Sequence, residues 1–280
     1  MEQNAYEWLK GRKNRYPEER VKVLVYHLVK ALFALHKAGY FHRDLKPENL
    51  LISGDELKLA DFGSCKGVYS KQPFTDYICT RWYRAPECLL TDGFYNYKAD
   101  IWSLGCVFAE MLTLKPLFTG QNELEQVKRI NSVLGSPSAS LLAHFHSKGN
   151  SEALALPAVC GTGLGAVLGN VSPEALDLLS KLLVYNPDDR LSARQIVKHP
   201  YFANLAAVEE LPAPTCFPGK GDIEEEGEDY LLRASDVPNA GFSSKKGQSR
   251  LGGWKLLCWG EERGISGLLV PKPRRHKQYR

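Results

Sequence analysis

His42-Arg43-Asp44-Leu45-Lys46-Pro47-Glu48-Asn49 is followed by Asp61-Phe62-Gly63 and then by Ala85-Pro86-Glu87. Any one of these tripeptides could arise by chance; their order, and what lies between them, decides the fold. Between the first two runs Leu50-Leu51-Ile52, a polar turn at Ser53-Gly54-Asp55, and Leu57-Lys58-Leu59-Ala60, the pattern of a short β-hairpin. Upstream, from Pro17 to Gly39, Val21, Leu24, Val25, Leu28, Leu32 and Leu35 recur at helical spacing, with Pro17 suited to a first turn and Gly39 to a stop. That stripe reads as the buried face of a core helix. Downstream, Asp100 to Leu112 is apolar on nearly all sides, which predicts a central helix. Asn122 with Glu125, and Ser192 with Gln195, have capping-box spacing, and Ser172-Pro173 opens another helix. Ser138 to Asn170 is rich in Gly, Ala and Ser without clear periodicity and reads as an insert or loop.

The bulk properties narrow the class. A chain of 280 residues that is 44% hydrophobic can build one good-sized core and a tail. A net charge of +4 argues for neither a nucleic acid nor a membrane surface as partner. The 7 cysteines are scattered and odd in number, without a C-x-x-C pair, which fits reduced intracellular thiols better than a disulfide framework or a zinc site. No signal peptide and no apolar window long enough to span a bilayer is visible. After Phe202 prolines, an acidic run from Asp222 to Asp229 and a basic end at Lys272-Pro273-Arg274-Arg275-His276-Lys277 read as a disordered tail. The basic end suits a nuclear-import signal or a merely solvated terminus.

The ordered triplets, with the hairpin between them, resemble the protein-kinase signature set over residues 1 to about 202. Phosphoryl transfer needs a positioned hydroxyl and neutralised phosphate charge, and the resemblance distributes those tasks. Asp44 would accept the proton of a substrate Ser or Thr, Lys46 would reach the γ-phosphate, and Asn49 and Asp61 would hold Mg2+ on ATP. Asn4 would lie near the ribose and Leu51 under the adenine, although Leu51 is equally compatible with plain core packing. Lys46 belongs to the serine/threonine form of the loop. Thr75-Asp76-Tyr77 sits in the segment from Asp61 to Glu87 and resembles a dual phosphorylation site for an upstream kinase. Arg43 would pair with phospho-Thr75, Arg81 and Arg84 with phospho-Tyr77. Thr80 would line the substrate pocket and bond to Asp44 or Lys46. Glu87 and Arg190 resemble a structural ion pair, and Asp100 a residue that bonds to the backbone of the 42–49 loop.

Thr80-Arg81-Trp82-Tyr83-Arg84-Ala85-Pro86-Glu87 and Lys115-Pro116-Leu117-Phe118-Thr119-Gly120 resemble the branch containing cyclin-dependent and mitogen-activated kinases. Protein substrates with proline after the Ser or Thr are implied. The stretch from Asp61 to Pro73, with Ala85-Pro86-Glu87-Cys88, points to the MAK-related group of that branch, though Ser64-Cys65-Lys66 replaces the Leu-Ala-Arg type continuation of MAK itself. A cytoplasmic location follows, with the nucleus or the cilium as alternatives.

A kinase places roughly 100 residues before this loop. Here no G-x-G-x-x-G loop and no V-A-I-K strand precede it. The expectation is therefore a mostly α chain: a kinase lower lobe, or C-lobe, over 1–204 with a short hairpin at the cleft, an insert at about 138–170, the upper lobe absent, and a disordered tail over 205–280. Such a chain alone is expected to be inactive. It could be part of an active enzyme, a non-catalytic module sequestering kinase substrates or regulators, or a lobe completed by another polypeptide.

Overall fold

The computed structural model describes residues 1–74, 81–149 and 156–206. Strand β1 (Gln3–Asn4) leads directly into α1 (Ala5–Leu9), and α2 (Glu18–Lys37) follows after a loop. Glu18 and Glu19 open α2 and His36 and Lys37 close it, so charges complement the helix dipole at both ends. Its buried face is Val21, Leu24, Val25, Tyr26, Leu28, Val29 and Leu32: five of the six residues of the expected stripe are buried, Leu35 is only half-buried, and Tyr26 and Val29 join them. Strand β2 (Tyr40–Phe41) then delivers the chain to the 42–49 loop.

Strands β3 (Leu50–Ser53) and β4 (Glu56–Leu59) form the expected hairpin, with Leu51 opposite Lys58 and Ile52 opposite Leu57. β1 adds to its free edge, pairing Gln3 with Ile52 and Asn4 with Leu51. Because side chains alternate across a strand, Leu50 and Ile52 are buried in the core while Leu51 faces the other side and is only half-buried. Strand β5 (Lys66–Gly67) pairs antiparallel with β2 and sets Phe41 opposite Lys66. Everything between Phe41 and Lys66 is thereby closed into a single loop-hairpin-loop unit.

The core sits under this unit. α3 (Pro86–Leu90) precedes α4 (Lys98–Thr113), in which every residue from Lys98 to Leu112 is buried, as its all-round apolar sequence predicts. Gly105 lets α4 approach the end of α8 (Pro173–Leu182): a Cβ there would stand 2.9 Å from the Leu183 side chain. α5 (Glu123–Leu134) begins at Asn122, whose side chain accepts from the Glu125 backbone at 2.8 Å. The reciprocal half of the capping box is displaced, since the Glu125 carboxylate accepts from Gln121 N (3.0 Å) and Arg129 (3.1 Å). At α9 (Ala193–Val197), Ser192 and Gln195 complete the full box. A short α10 (Ala203–Ala206) ends the described chain.

The expectation of an aperiodic 138–170 segment needs correction, because two helices form within it. α6 (Ala139–His146) is capped by Ser138 and anchored by buried Phe145; α7 (Leu164–Leu168) buries Leu164 and Leu168. Each is too short to express a helical period, and each depends on tertiary anchors rather than propensity. The tail is expected from 205: Leu205 and Ala206 belong instead to α10, and the rest, from 207 onward, lies outside the described residues.

Candidate active site

The 42–49 loop is held from below by α4. Asp100 accepts from His42 N at 2.7 Å through Oδ2 and from Arg43 N at 2.9 Å through Oδ1. His36 of α2, which sequence reading did not single out, adds a third contact through Nε2 at 2.8 Å. Burial opposes ionisation of Asp100, but the hydrogen bonds from His36 and the two backbone amides outweigh it and hold the carboxyl below its ordinary range. These bonds also stabilise Arg43 at φ 73, a left-handed conformation that costs a non-glycine residue about 1–3 kcal/mol.

Asp44, Lys46 and Asn49 lie together in the loop. Lys46 Nζ lies 2.9 Å from Asp44 Oδ2. Asn49 Nδ2 donates to the Asp44 carbonyl at 2.8 Å and to the same Oδ2 at 3.1 Å. Asp44 Oδ1, by contrast, is buried and has no hydrogen-bond partner among the described residues. An acceptor left in that condition costs about 1–3 kcal/mol, so the arrangement is suited to a donor that arrives from outside.

Asp61 is brought to the same place by the hairpin. Ala60 N donates to the Asn49 carbonyl at 2.9 Å, and His42 Nε2 bonds to the Ala60 carbonyl at 3.0 Å. His42 Nδ1 accepts from Asp44 N (3.3 Å), which leaves the ring proton on Nε2 and makes it the donor to Ala60. The edge of the His42 ring meets Phe62 with centroids 5.5 Å apart. Asp61 itself stands at φ 61 and accepts from Gly63 N at 3.3 Å. Cys65, just beyond, has its thiol pushed up to about 12, chiefly by burial and then by Asp100, so it is not a reactive nucleophile.

Asn4 and Leu51 are cross-strand partners at the rim of this cleft, and the Asn4 side chain accepts from Glu7 N at 2.8 Å as the cap of α1. Arg43 is already anchored: Nε donates to Tyr95 OH at 3.0 Å, a terminal nitrogen to the Ser64 carbonyl at 3.3 Å, and its guanidinium lies 5.4 Å from the ring centre of Phe74. Arg81 bonds to the Gln121 carbonyl at 2.9 Å, and Arg84 to Glu123 at 3.2 Å. Thr75, Tyr77 and Thr80 lie outside the described residues.

Glu87 and Arg190 form the expected pair, bidentate with both contacts at 2.6 Å and almost no exposure. A second buried pair escaped the sequence. Tyr83 OH donates to Glu110 Oε2 at 2.7 Å, in a site where burial pushes the Glu110 carboxyl up to about 7 against the pull of that bond, with Glu48 adding to the rise. The signal would have been Glu110 itself, an acid inside an otherwise apolar helix.

The loop thus sets one carboxylate oxygen, without a partner among the described residues, beside a lysine and an amide. The match to the protein kinase domain covers residues 1–202, and the chain belongs to that family. Within it, the chain is 49% identical over 209 residues to the MAPK/MAK/MRK overlapping kinase of Mus musculus and 49% over 210 residues to that of Homo sapiens. Both alignments take in 75% of this chain and 50% of the relative. The serine/threonine-protein kinase MAK of Rattus norvegicus is 40% identical over 203 residues, which is 72% of this chain and 33% of that protein. The chain thus spans about half the length, or less, of these relatives. Among the described residues no helix is long and apolar enough to cross a membrane.

Proposed function

We propose that this chain forms the substrate-positioning half of a serine/threonine kinase site, which transfers the γ-phosphate of ATP to Ser or Thr of protein substrates. The observation that carries the reading is the asymmetry of the Asp44 carboxylate: Oδ2 is occupied by Lys46 and Asn49, while Oδ1 is buried and without a partner among the described residues. A substrate hydroxyl would donate to Oδ1 and pass its proton there as the oxygen attacks. Lys46, beside the same carboxylate, would balance the negative charge growing nearby.

The donor chemistry fits magnesium-bound ATP. Asn49 spends its amide nitrogen on Asp44, and nothing among the described residues donates to its oxygen. Asp61 adds a carboxylate. Two hard oxygen donors are what Mg2+ takes from a protein when phosphates and water supply the rest, and no cluster of three or more His, Cys, Asp or Glu among the described residues offers a fuller cage. Leu51, on the face of β3 turned from the core, would support the adenine, with Asn4 beside it near the ribose. Bound ATP and Mg2+ supply the phosphoryl group and neutralise its oxygens; the residues here hold, orient and accept the proton.

Regulation is part of the proposal. Arg43 sits over Phe74, the residue before Thr75, so phosphate on Thr75 would find a guanidinium at hand. Arg81 has a buried Nε without a partner among the described residues, a donor suited to phosphate on Tyr77. Trp82 and Arg84 belong to the stretch whose resemblance implies proline after the phosphorylated residue. Because the 280 residues hold no glycine-rich phosphate loop, this polypeptide alone should transfer phosphate only at background.

The test joins these 280 residues behind the upper lobe of the mouse relative and measures phosphate transfer to a Ser-Pro peptide. Transfer that falls at least ~100-fold on Asp44→Asn, with background transfer by the unjoined chain, supports the reading. A folded, ATP-binding chimera that stays inactive would defeat it, as would Asp44-dependent transfer by the unjoined chain.

A further inference from the structure

The loop joining α1 to α2 is a preformed cationic platform that the phosphotransfer site does not use. Lys10, Arg12, Lys13 and Arg15 fall within six residues and are all exposed. The loop is stiffened from beneath: Trp8 and Tyr16 stack with centroids 3.5 Å apart and 2° between planes, and Tyr16 OH donates to the Trp8 carbonyl at 3.1 Å. The Arg12 guanidinium lies 3.7 Å from the Tyr16 ring centre, and Arg15 donates to the Leu168 carbonyl at 3.0 Å. Neither contact spends the positive charge.

The neighbouring acids are committed elsewhere. Glu18 accepts from Ser172, Glu19 pairs with Lys22 at 2.8 Å, and Asp55 pairs with Arg20 at 3.0 Å. Glu7 is the nearest remaining acid in sequence and pairs with none of the four. Among the described residues, no carboxylate forms an ion pair with Lys10, Arg12, Lys13 or Arg15. Four cations held this close repel one another, and an anionic partner relieves that repulsion.

We propose that the partner is the acidic run of this same chain, Asp222-Ile223-Glu224-Glu225-Glu226-Gly227-Glu228-Asp229, docking on the 10–15 loop. Charge complementarity is the first argument: six carboxylates in eight residues meet four unpaired cations in six. Position is the second. The described chain ends beside the start of α2, with Lys22 Nζ 5.1 Å from the Tyr201 ring centre and Phe202 5.3 Å from Tyr26. α2 begins three residues after Arg15. From Ala206, the sixteen residues to Asp222 can span at most about 55 Å, ample for that separation. Tethering raises the local concentration of the acidic run far above that of any free anion of equal affinity. The docked run would lie next to α1, the helix that Asn4 caps.

The experiment is zero-length carbodiimide cross-linking of the full chain at low salt, with peptides identified by mass spectrometry. The expected product joins the amine of Lys10 or Lys13 to a glutamate of the acidic run within one molecule. Its yield should fall about fivefold at 0.5 M salt, and equally in Arg12→Gln/Arg15→Gln, which leaves both amines in place. Asp222→Asn/Asp229→Asn, which leaves the described fold and the reactive glutamates untouched, should lower it likewise. Cross-links from the acidic run chiefly to Lys272 or Lys277, or between copies in an isotope-mixed sample, overturn the proposal. So do a yield indifferent to those variants, no cross-link at all, or capture of the loop by anionic lipid vesicles with no change in the presence of the acidic run. None of these readouts depends on phosphotransfer.

Discussion

Replacing Glu87 by Gln strips the counter-charge from a guanidinium that is wholly enclosed. Arg190 donates to both Glu87 oxygens at 2.6 Å, to the Val184 carbonyl at 2.7 Å, and to the carbonyls of Lys98 and Tyr185 at 3.1 Å. Breaking a buried pair costs about 3–5 kcal/mol; the three carbonyls and one remaining amide acceptor place Glu87→Gln near ~3 kcal/mol. Arg190→Met should cost more, about 4–5 kcal/mol, because it strands the Glu87 carboxylate and deprives the buried Lys98 carbonyl and the half-buried Val184 and Tyr185 carbonyls of a donor. The informative species is the double variant. With both charges gone, it should be little worse than Arg190→Met alone, giving a coupling of about 3 kcal/mol. Urea titrations followed by tryptophan fluorescence provide the measurement, since the buried Trp102 ring lies 5.1 Å from the guanidinium carbon. Additive losses, with coupling below ~1 kcal/mol, would refute the claim that the two residues act as one buried unit.

Glu110→Gln should leave stability near that of the parent at pH 5 and raise it by about 2–3 kcal/mol at pH 8.5. The folded carboxyl, at about 7 against an ordinary 4.5, keeps a proton that the unfolded chain releases, so parent stability falls as pH rises between those values; thermal melts across that range would show parallel curves if the reasoning were wrong. Asp100→Asn should cost about 3–5 kcal/mol at pH 7, since an amide cannot accept from His36 and two backbone amides without presenting its own N–H to one of them. As the folded carboxyl is depressed, its contribution is complete above the unfolded value near 4 and lost as pH falls through the folded one, so urea midpoints of parent and variant should converge in acid; a constant gap counts against it.

Much of this architecture was legible because its signals are local. A hairpin announces itself by two apolar runs around Ser53-Gly54-Asp55, and α4 by apolarity on every side. The relation of Asp44, Lys46 and Asn49 is fixed by their spacing within a single loop. What stayed hidden is what long-range packing decides. His36 is an ordinary polar residue in the last turn of an amphipathic helix until the fold lays α4 beside it. Tyr95 becomes the brace of Arg43 only because β2 and its neighbours bring them together across 52 residues. Gln126 reads as one more surface residue of α5, yet it is fully buried and bonds to Gly120 N at 2.8 Å and to the carbonyls of Trp82 and Phe118 at 3.3 Å. α6 and α7 failed the sequence for a different reason: a helix of one or two turns is shorter than the period that would reveal it.

The place of Asp100 also governs how the 42–49 loop can move. Most loops near a binding site open in small, cheap fluctuations of their own. This one is tied by two backbone amides to a side chain on α4, the most enclosed helix among the described residues, and through His36 to α2 as well. Its local opening free energy therefore approaches that of the whole helical core. The loop behaves as part of the scaffold, and whatever adaptation the cleft requires has to be supplied by segments hung less deeply than this one.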